Sequence, residues 1–143
     1  MPEKSKQKND VCYVFLLSKA YQKGNKLVQN RLTPYGLTNI QYLVLEVLWN
    51  NEGIIASDIG KRLNIDKATL SGILDRMNEA GWLKKEQDSQ DMRVFQIFPS
   101  KKANDLEEKL RQEREAANEE LLTGFIMEEK VLLRRLLMEL IKE

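Results

Sequence analysis

Apolar residues along this chain fall into helical stripes, interrupted once by a short stretch of alternation. From Asp10 to about Leu32, Val11, Val14, Leu17, Tyr21, Val28 and Leu32 recur at steps of three, four and seven. Phe15 and Leu27 widen this stripe, while Ser18 and Asn25 interrupt it. The spacing predicts a long helix whose wide apolar face packs on more than its own domain. Thr33-Pro34-Tyr35-Gly36 ends it. Thr38 and Gln41 then stand at capping-box spacing, with Leu37 just before the cap. Tyr42, Leu43, Leu45, Val47, Leu48 and Trp49 make the helix that follows almost wholly apolar, and therefore central. Asn50-Asn51-Glu52-Gly53 closes it.

The stretch from Ile55 to Ile97 organises the rest. Ile59 and Leu63 share one face of a short helix, with Gly60 where a second helix crossing at a steep angle leaves no room for a side chain. Asn64 follows, a residue that tolerates the left-handed backbone a sharp turn needs. Ile65 plugs the turn and Asp66 is a fair N-cap. Leu70, Ile73, Leu74 and Met77 then form the buried stripe of a second helix, which stops over Asn78 to Gly81. This is the spacing of a helix-turn-helix, whose second helix enters the DNA major groove. Trp82 to Lys85 and Arg93 to Phe98 read as two strands around a polar tip, Glu86 to Met92, with Phe95 and Ile97 facing inward. The segment thus reads as a helix-turn-helix with a β-hairpin wing.

Beyond it, Ser100 to about Leu122 is a long charged helix with a narrow stripe of Leu106, Leu110, Ala117, Leu121 and Leu122, more like a coiled-coil arm than a core helix. Gly124 punctuates it, and Glu128 to Lys142 is a last helix with Val131, Leu132, Leu136, Leu137, Leu140 and Ile141 apolar. The terminal helices carry more apolar surface than the small central unit can cover. Interleaving with those of a second copy in a symmetric dimer is the economical solution. The fold class expected is mainly α with a small β-hairpin wing. It is one domain over 1–143, with dimerisation helices at 10–32 and 100–143 around a winged unit at 37–98.

A length of 143 residues suits one domain with a core of its own. No apolar run approaches the roughly 20 residues of a membrane span. The lysine-rich segment Met1 to Asn9 reads as a loose arm and lacks the apolar run of a signal peptide. With a single Cys, this points to the cytoplasm. The chain has no His, which removes Ser-His-Asp and Cys-His catalysis and His-ligated zinc. Neither an enzyme nor a metal or other cofactor is expected. Net charge is only +1, but its distribution is uneven. Residues 1–60 carry 7 basic and 5 acidic groups, residues 61–102 carry 9 and 6, and residues 103–143 carry 7 and 11. Basic charge on the central unit and acidic charge on the C-terminal helices suits a DNA-facing unit on an acidic scaffold.

With the stripe of the second helix turned inward, Lys67, Ala68, Thr69, Ser71, Gly72 and Arg76 lie on or near its open face. Thr69 and Ser71 can hydrogen-bond bases or phosphates, and Ala68 can touch a thymine methyl. Lys67, Arg76, Lys84 and Lys85 are placed for phosphates. Arg93, beside the hairpin tip, can enter the minor groove, with Asp91 holding its guanidinium. The chain resembles a MarR-family winged helix-turn-helix regulator from about Asp10 onward. The residues that carry the likeness are Leu37-Thr38-Asn39-Ile40-Gln41-Tyr42-Leu43-Val44-Leu45, Asp66-Lys67-Ala68-Thr69-Leu70-Ser71, Gly81-Trp82-Leu83-Lys84-Lys85 and Asp88-Ser89-Gln90-Asp91-Met92-Arg93. The resemblance implies a homodimer, a pseudo-palindromic double-stranded DNA operator read by the second helix, and Arg93 as the minor-groove residue. Ile55 departs from the usual Thr, Pro99 and Ala103 from the usual Leu and Gly after the wing, and Gln90 from a common wing Arg.

Two signals stand open. Cys12, near the start of the first helix, has a position where the helix dipole favours a thiolate. It resembles the sensing Cys of the family's peroxide-responsive branch, which shares Gln41-Tyr42-Leu43-Val44-Leu45. That branch's two tyrosines are here Leu16 and Lys26, so any clamp is rebuilt from Tyr13, Tyr21 or Tyr35. The other reading of Cys12 is an inert core residue. The rival signal is a small aromatic ligand in a cleft lined by Tyr35, Tyr42, Trp49 and Trp82, against the plain reading of these aromatics as core. The function expected is a dimeric sequence-specific transcriptional regulator, a repressor released by a small ligand or by oxidation. The alternative from another class is a helical adaptor that does not bind DNA.

Overall fold

The structure is a computed structural model that describes residues 11–143. Asp10 and the lysine-rich arm expected before it lie outside those residues. In chain order the elements are α1 (Tyr13–Leu32), a 3-10 turn (Thr33–Tyr35), α2 (Asn39–Asn50), β1 (Ile54–Ile55), α3 (Ala56–Leu63), α4 (Lys67–Glu79), β2 (Leu83–Gln87), β3 (Phe95–Pro99), α5 (Lys101–Leu121) and α6 (Met127–Leu140). The class is mainly α with a small antiparallel sheet, as the hydrophobic pattern predicts. No helix is long and apolar enough to cross a membrane among the described residues.

Local chemistry accounts for most boundaries. α1 begins at Tyr13 with Cys12 as its N-cap, and Gly36 in the left-handed region (φ 73°) ends the 3-10 turn that follows it. At α2 the full capping box forms: Thr38 Oγ1 accepts from the Gln41 amide at 3.2 Å, and Gln41 Oε1 accepts from the Thr38 amide at 3.0 Å. Asn64 takes the left-handed conformation (φ 55°, ψ 49°) that turns the chain from α3 into α4. There the Ile65 amide donates to the Gly60 carbonyl at 2.9 Å. A Cβ on Gly60 would sit 3.0 Å from the Ile65 carbonyl oxygen and 3.5 Å from a Leu70 methyl. The crossing expected to exclude a side chain is therefore tightest against the turn itself.

Two features of the wing differ from the expectation. Ile54 and Ile55 add a third strand, β1, antiparallel to β3 (Ile54 opposite Ile97, Ile55 opposite Gln96), so the sheet order is β1-β3-β2. Two residues carry no readable alternation, and their pairing is long-range. Phe95, expected inward, is 45% exposed, whereas Ile97 is buried. Phe95 keeps the inward parity of Ile97 but lines an open groove facing α3 and α4, where solvent still reaches it.

The core gathers Leu32, Leu37, Tyr42, Leu45, Leu48, Ile59, Leu70, Ile73, Leu74, Met77, Trp82, Ile97 and Leu110. Each such side chain contributes roughly 1.5–3 kcal/mol. Leu110 and Ala103 place α5 in that core rather than on a free arm, because α5 lies antiparallel against α1. Gly24 faces Leu121, and Arg31 reaches both Glu113 (3.3 Å) and Glu120.

The opposite is true of α6. None of its residues is buried, with Val131 62% and Leu140 63% exposed, and Ile141 just past its end is 70% exposed. The N-terminal half of α1 is similarly open through Tyr13, Val14, Phe15 and Tyr21. Gly60→Val should lower unfolding free energy by about 1–3 kcal/mol in urea titration, with an unchanged slope, since the added atoms press on backbone rather than on a movable side chain.

Candidate nucleic-acid interface

α4 is presented by constraints at both of its ends. At its start Asp66 caps the helix, accepting from the Thr69 amide at 2.8 Å and from the Thr69 hydroxyl at 2.8 Å. These bonds hold the Asp66 carboxyl below its ordinary pKa. At its end Gly81 takes a left-handed conformation (φ 81°). The Trp82 amide returns to the Met77 carbonyl at 2.9 Å and the Gly81 amide to Asn78 at 3.1 Å, a Schellman closure. Ser100 Oγ then donates to the Gly81 carbonyl at 2.6 Å, and Lys102 donates to Ala80 O at 3.1 Å while its Nζ lies 4.1 Å over the Trp82 ring. The end of α4 is thereby bound to the first turn of α5.

Leu70, Ile73, Leu74 and Met77 are buried, and Lys67, Ala68, Thr69, Ser71 and Arg76 are exposed, so the open face is the one the periodicity predicts. Gly72 is half-buried beneath Arg76. Thr69 spends its hydroxyl proton on Asp66 and keeps its lone pairs as acceptors. Lys84 is exposed. Lys85 is half-buried and donates to Asp75 at 2.8 Å, which ties β2 to α4. The tip of the wing is ordered by Asp88, whose Oδ1 accepts from the Gln90 amide at 2.7 Å and the Asp91 amide at 3.2 Å.

Arg93 lies in this turn, ahead of β3 rather than on it. Its side chain is 91% exposed. Its Nε donates to Asp91 Oδ1 at 3.1 Å and its Nη2 to Asp91 Oδ2 at 3.3 Å, a two-pronged grip that also lowers the Asp91 pKa. Between α3, α4 and β3 runs an open groove of about 870 Å³ whose lining includes Ser57, Lys61, Lys67, Ser71, Leu70 and Phe95. Ser57 and Lys61 were not among the sequence candidates. Their i, i+4 spacing on the polar face of α3 was the available signal.

Within one chain the aromatics expected at a ligand cleft between the dimer helices and the winged unit turn toward the core. Tyr42 and Trp82 are buried, and Tyr35 and Trp49 are half-buried against the core. Tyr42 packs edge-on to Trp49 at 6.2 Å between ring centres, and its hydroxyl donates to Glu46 at 2.5 Å. Burial and the Glu46 carboxylate, which also pairs with Arg114, push the Tyr42 pKa up. Trp82 lies under Lys102. The largely apolar faces of α2 and the base of the wing turn these rings into the core. A smaller cavity of about 300 Å³ opens instead between α1 and α2, beside Tyr21, Asn25, Gln29 and Asn39. Cys12 is exposed and its side chain makes no capping bond, so within one chain it is not a core residue.

A capped helix with a hydroxylic, basic open face, set at a helix-turn-helix crossing and flanked by an arginine-tipped hairpin, defines a winged helix-turn-helix protein. The MarR family model matches residues 37–95. The uncharacterized HTH-type transcriptional regulator YybA of Bacillus subtilis is 32% identical over 101 residues, covering 71% of this chain and 67% of that protein. The organic hydroperoxide resistance transcriptional regulator of Bacillus subtilis is 30% identical over 92 residues, 64% of this chain and 61% of that protein. Among solved structures, a cysteine-to-serine mutant of MarR from E. coli complexed with operator DNA superposes with a TM-score of 0.84 at 23% identity, covering 90% of this chain and 93% of that one. The chain belongs to the MarR family, whose members are transcriptional regulators and not enzymes.

The Asp66 cap makes a pH prediction. Its folded pKa is depressed, so its contribution to stability is complete above the ordinary carboxylate pKa of about 4 and is lost as pH falls through the folded value. The stability gap between wild type and Asp66→Ala should be constant from neutral pH down to about 5 and shrink steadily below about 4, read by urea titration at each pH.

Proposed function

We propose that this chain is a dimeric, sequence-specific DNA-binding regulator, more specifically a repressor that leaves a pseudo-palindromic operator when a small ligand or an oxidant changes the spacing of its two α4 helices. The observation that carries the DNA reading is the shared outward aspect of α4 and the wing. Lys67, Ala68, Thr69 and Ser71 point away from the core on one element, and Arg93 stands clear of the other with its guanidinium oriented by Asp91. On this reading Ala68, Thr69 and Ser71 meet base edges, and Lys67 and Lys84 meet phosphates. Lys85 joins them only by releasing Asp75, and Arg93 enters the minor groove. Helices α1, α5 and α6 form the frame, and residues 37–98 the reading unit.

The dimer rests on the bare apolar faces of α6 and of the first half of α1. A helix of 14 residues is marginal in water without packing, so a second copy is the cover these faces ask for. The two copies would then set half-sites about one helical turn, roughly 34 Å, apart. For the signal, the exposure of Cys12 at the α1 N-cap favours an oxidant, and the cavity between α1 and α2 favours a small ligand.

A gel shift on the promoter DNA beside the gene tests the DNA reading. Affinity should fall steeply between about 50 and 200 mM salt, whereas an adaptor protein would give no shift. Arg93→Ala should weaken binding at least several-fold with an unchanged melting temperature; full affinity in that variant would remove the wing from the interface. Titration with an organic hydroperoxide should release wild type but not Cys12→Ser if oxidation is the signal, and equal loss in both would eliminate Cys12.

A further inference from the structure

Where α4 ends and the wing begins, the chain is gripped from α5 at three consecutive residues. The Ala80 carbonyl accepts from Lys102 Nζ at 3.1 Å, the Gly81 carbonyl from Ser100 Oγ at 2.6 Å and the Trp82 carbonyl from the Ser100 amide at 3.1 Å. Ser100 is the N-cap of α5, and Lys102 stands in its first turn, beyond the residues 37–95 matched by the family model. Ala80 is the C-cap of α4, where carbonyls lack partners within the helix and a positive charge meets the negative end of the dipole. The same ammonium lies 4.1 Å from the centre of the Trp82 ring, a buried indole immediately before β2 whose π face attracts a cation. Lys101 beside it behaves differently, pairing with Asp105 at 2.7 Å as an i, i+4 surface ion pair. An exposed lysine next to a DNA-facing unit would ordinarily count as a phosphate contact. Lys102 is instead turned onto the backbone and the ring at the exit of α4.

We propose that Lys102 is a positioning residue for sequence-specific DNA recognition, which fixes the exit of α4 and the root of the wing to α5 without itself touching DNA. The proposal rests on the DNA-binding reading above. The start of α4 is set by the Asn64 turn and the Asp66 cap, and its end by this joint, so the direction of its open face depends on both. Contacts to base edges demand a fixed helix direction, whereas the attraction of phosphates tolerates a tilt. A joint without Lys102 keeps both Ser100 bonds, so the protein stays folded. The end of α4 and the first residue of the wing gain freedom that binding must then remove. The cost falls on specific binding and spares non-specific binding.

The test compares wild type, Lys102→Met and Lys102→Arg on a duplex that wild type selects from a randomised library and on an unrelated duplex, over a range of salt, with melting temperatures for each protein. Lys102→Met keeps an apolar stem over the ring but neither the charge nor the donor. It should bind the selected duplex about three- to tenfold more weakly, bind the unrelated duplex as wild type does, and keep the wild-type salt slope. Its melting temperature should fall by a few degrees at most. Lys102→Arg, which can still donate to Ala80 and lie over Trp82, should restore most of the specific affinity. Equal weakening of Lys102→Met on both duplexes, with a salt slope shallower by about 0.9, would make Lys102 a phosphate contact and overturn the proposal. Wild-type affinity of Lys102→Met for the selected duplex would overturn it as well. If wild type selects no sequence at all, the DNA-binding reading fails first and this one with it.

Discussion

The α3–α4 crossing is the constraint on which the DNA-facing half of the molecule depends. Asn64 supplies a left-handed backbone, Gly60 supplies the absence of a Cβ against the Ile65 carbonyl, and the Ile65 amide closes back on Gly60. Together they leave α4 one way to leave the turn. Leu70, Ile73, Leu74 and Met77 then go into the core, and the face bearing Ala68, Ser71 and Arg76 can only point out. An ordinary helical hairpin would need none of these devices. A steep crossing that must expose a particular face needs all of them.

A second set of contacts decides how the exposed face is held relative to the rest. The end of α4 is bound to the start of α5 through Ser100, Lys102 and the Trp82 ring. Further along, α5 is bound to α2 through Arg114 and Glu46, and to α1 through Arg31 and its two glutamates. α5 is thus shared: its first turn holds the end of α4, and its body is tied to α1 and α2. A shift of the frame would reach α4 through packed side chains and partly buried ion pairs instead of through a flexible linker. This is the physical basis on which a signal acting near α1 and α2 could alter DNA contact some distance away.

Most of the helices were legible from periodicity, because each buries one stripe and exposes the other. Capping residues placed two starts closely, Thr38 for α2 and Asp66 for α4, and the structure adds Ser100 as the cap of α5. What escaped depends on long-range pairing or on the shape of the core. β1 is too short to show alternation and exists because β3 offers it an edge. Phe95 has the inward parity of Ile97 but lines an open groove facing α3 and α4, where solvent still reaches it. At the candidate site the exposed residues of α4 and the Asp91–Arg93 pair were readable from spacing. The roles of Lys85 and of the aromatic residues were not. Lys85 is drawn to Asp75 across two elements, and Tyr42, Trp49 and Trp82 serve the core that their hydrophobicity suits. The arrangement of Arg76 over Gly72 also needed three dimensions, since sequence shows the i, i+4 spacing but not which way the guanidinium folds.

The central claim is that two copies of this winged unit, fixed by a shared helical frame, read one DNA site together. Hydroxyl-radical footprinting of the complex on a selected duplex tests it most directly. The account predicts two protected segments related by two-fold symmetry, their centres about one helical turn apart, with further protection in the flanking minor groove that disappears for Arg93→Ala. A single protected segment, or protection without symmetry, would contradict it.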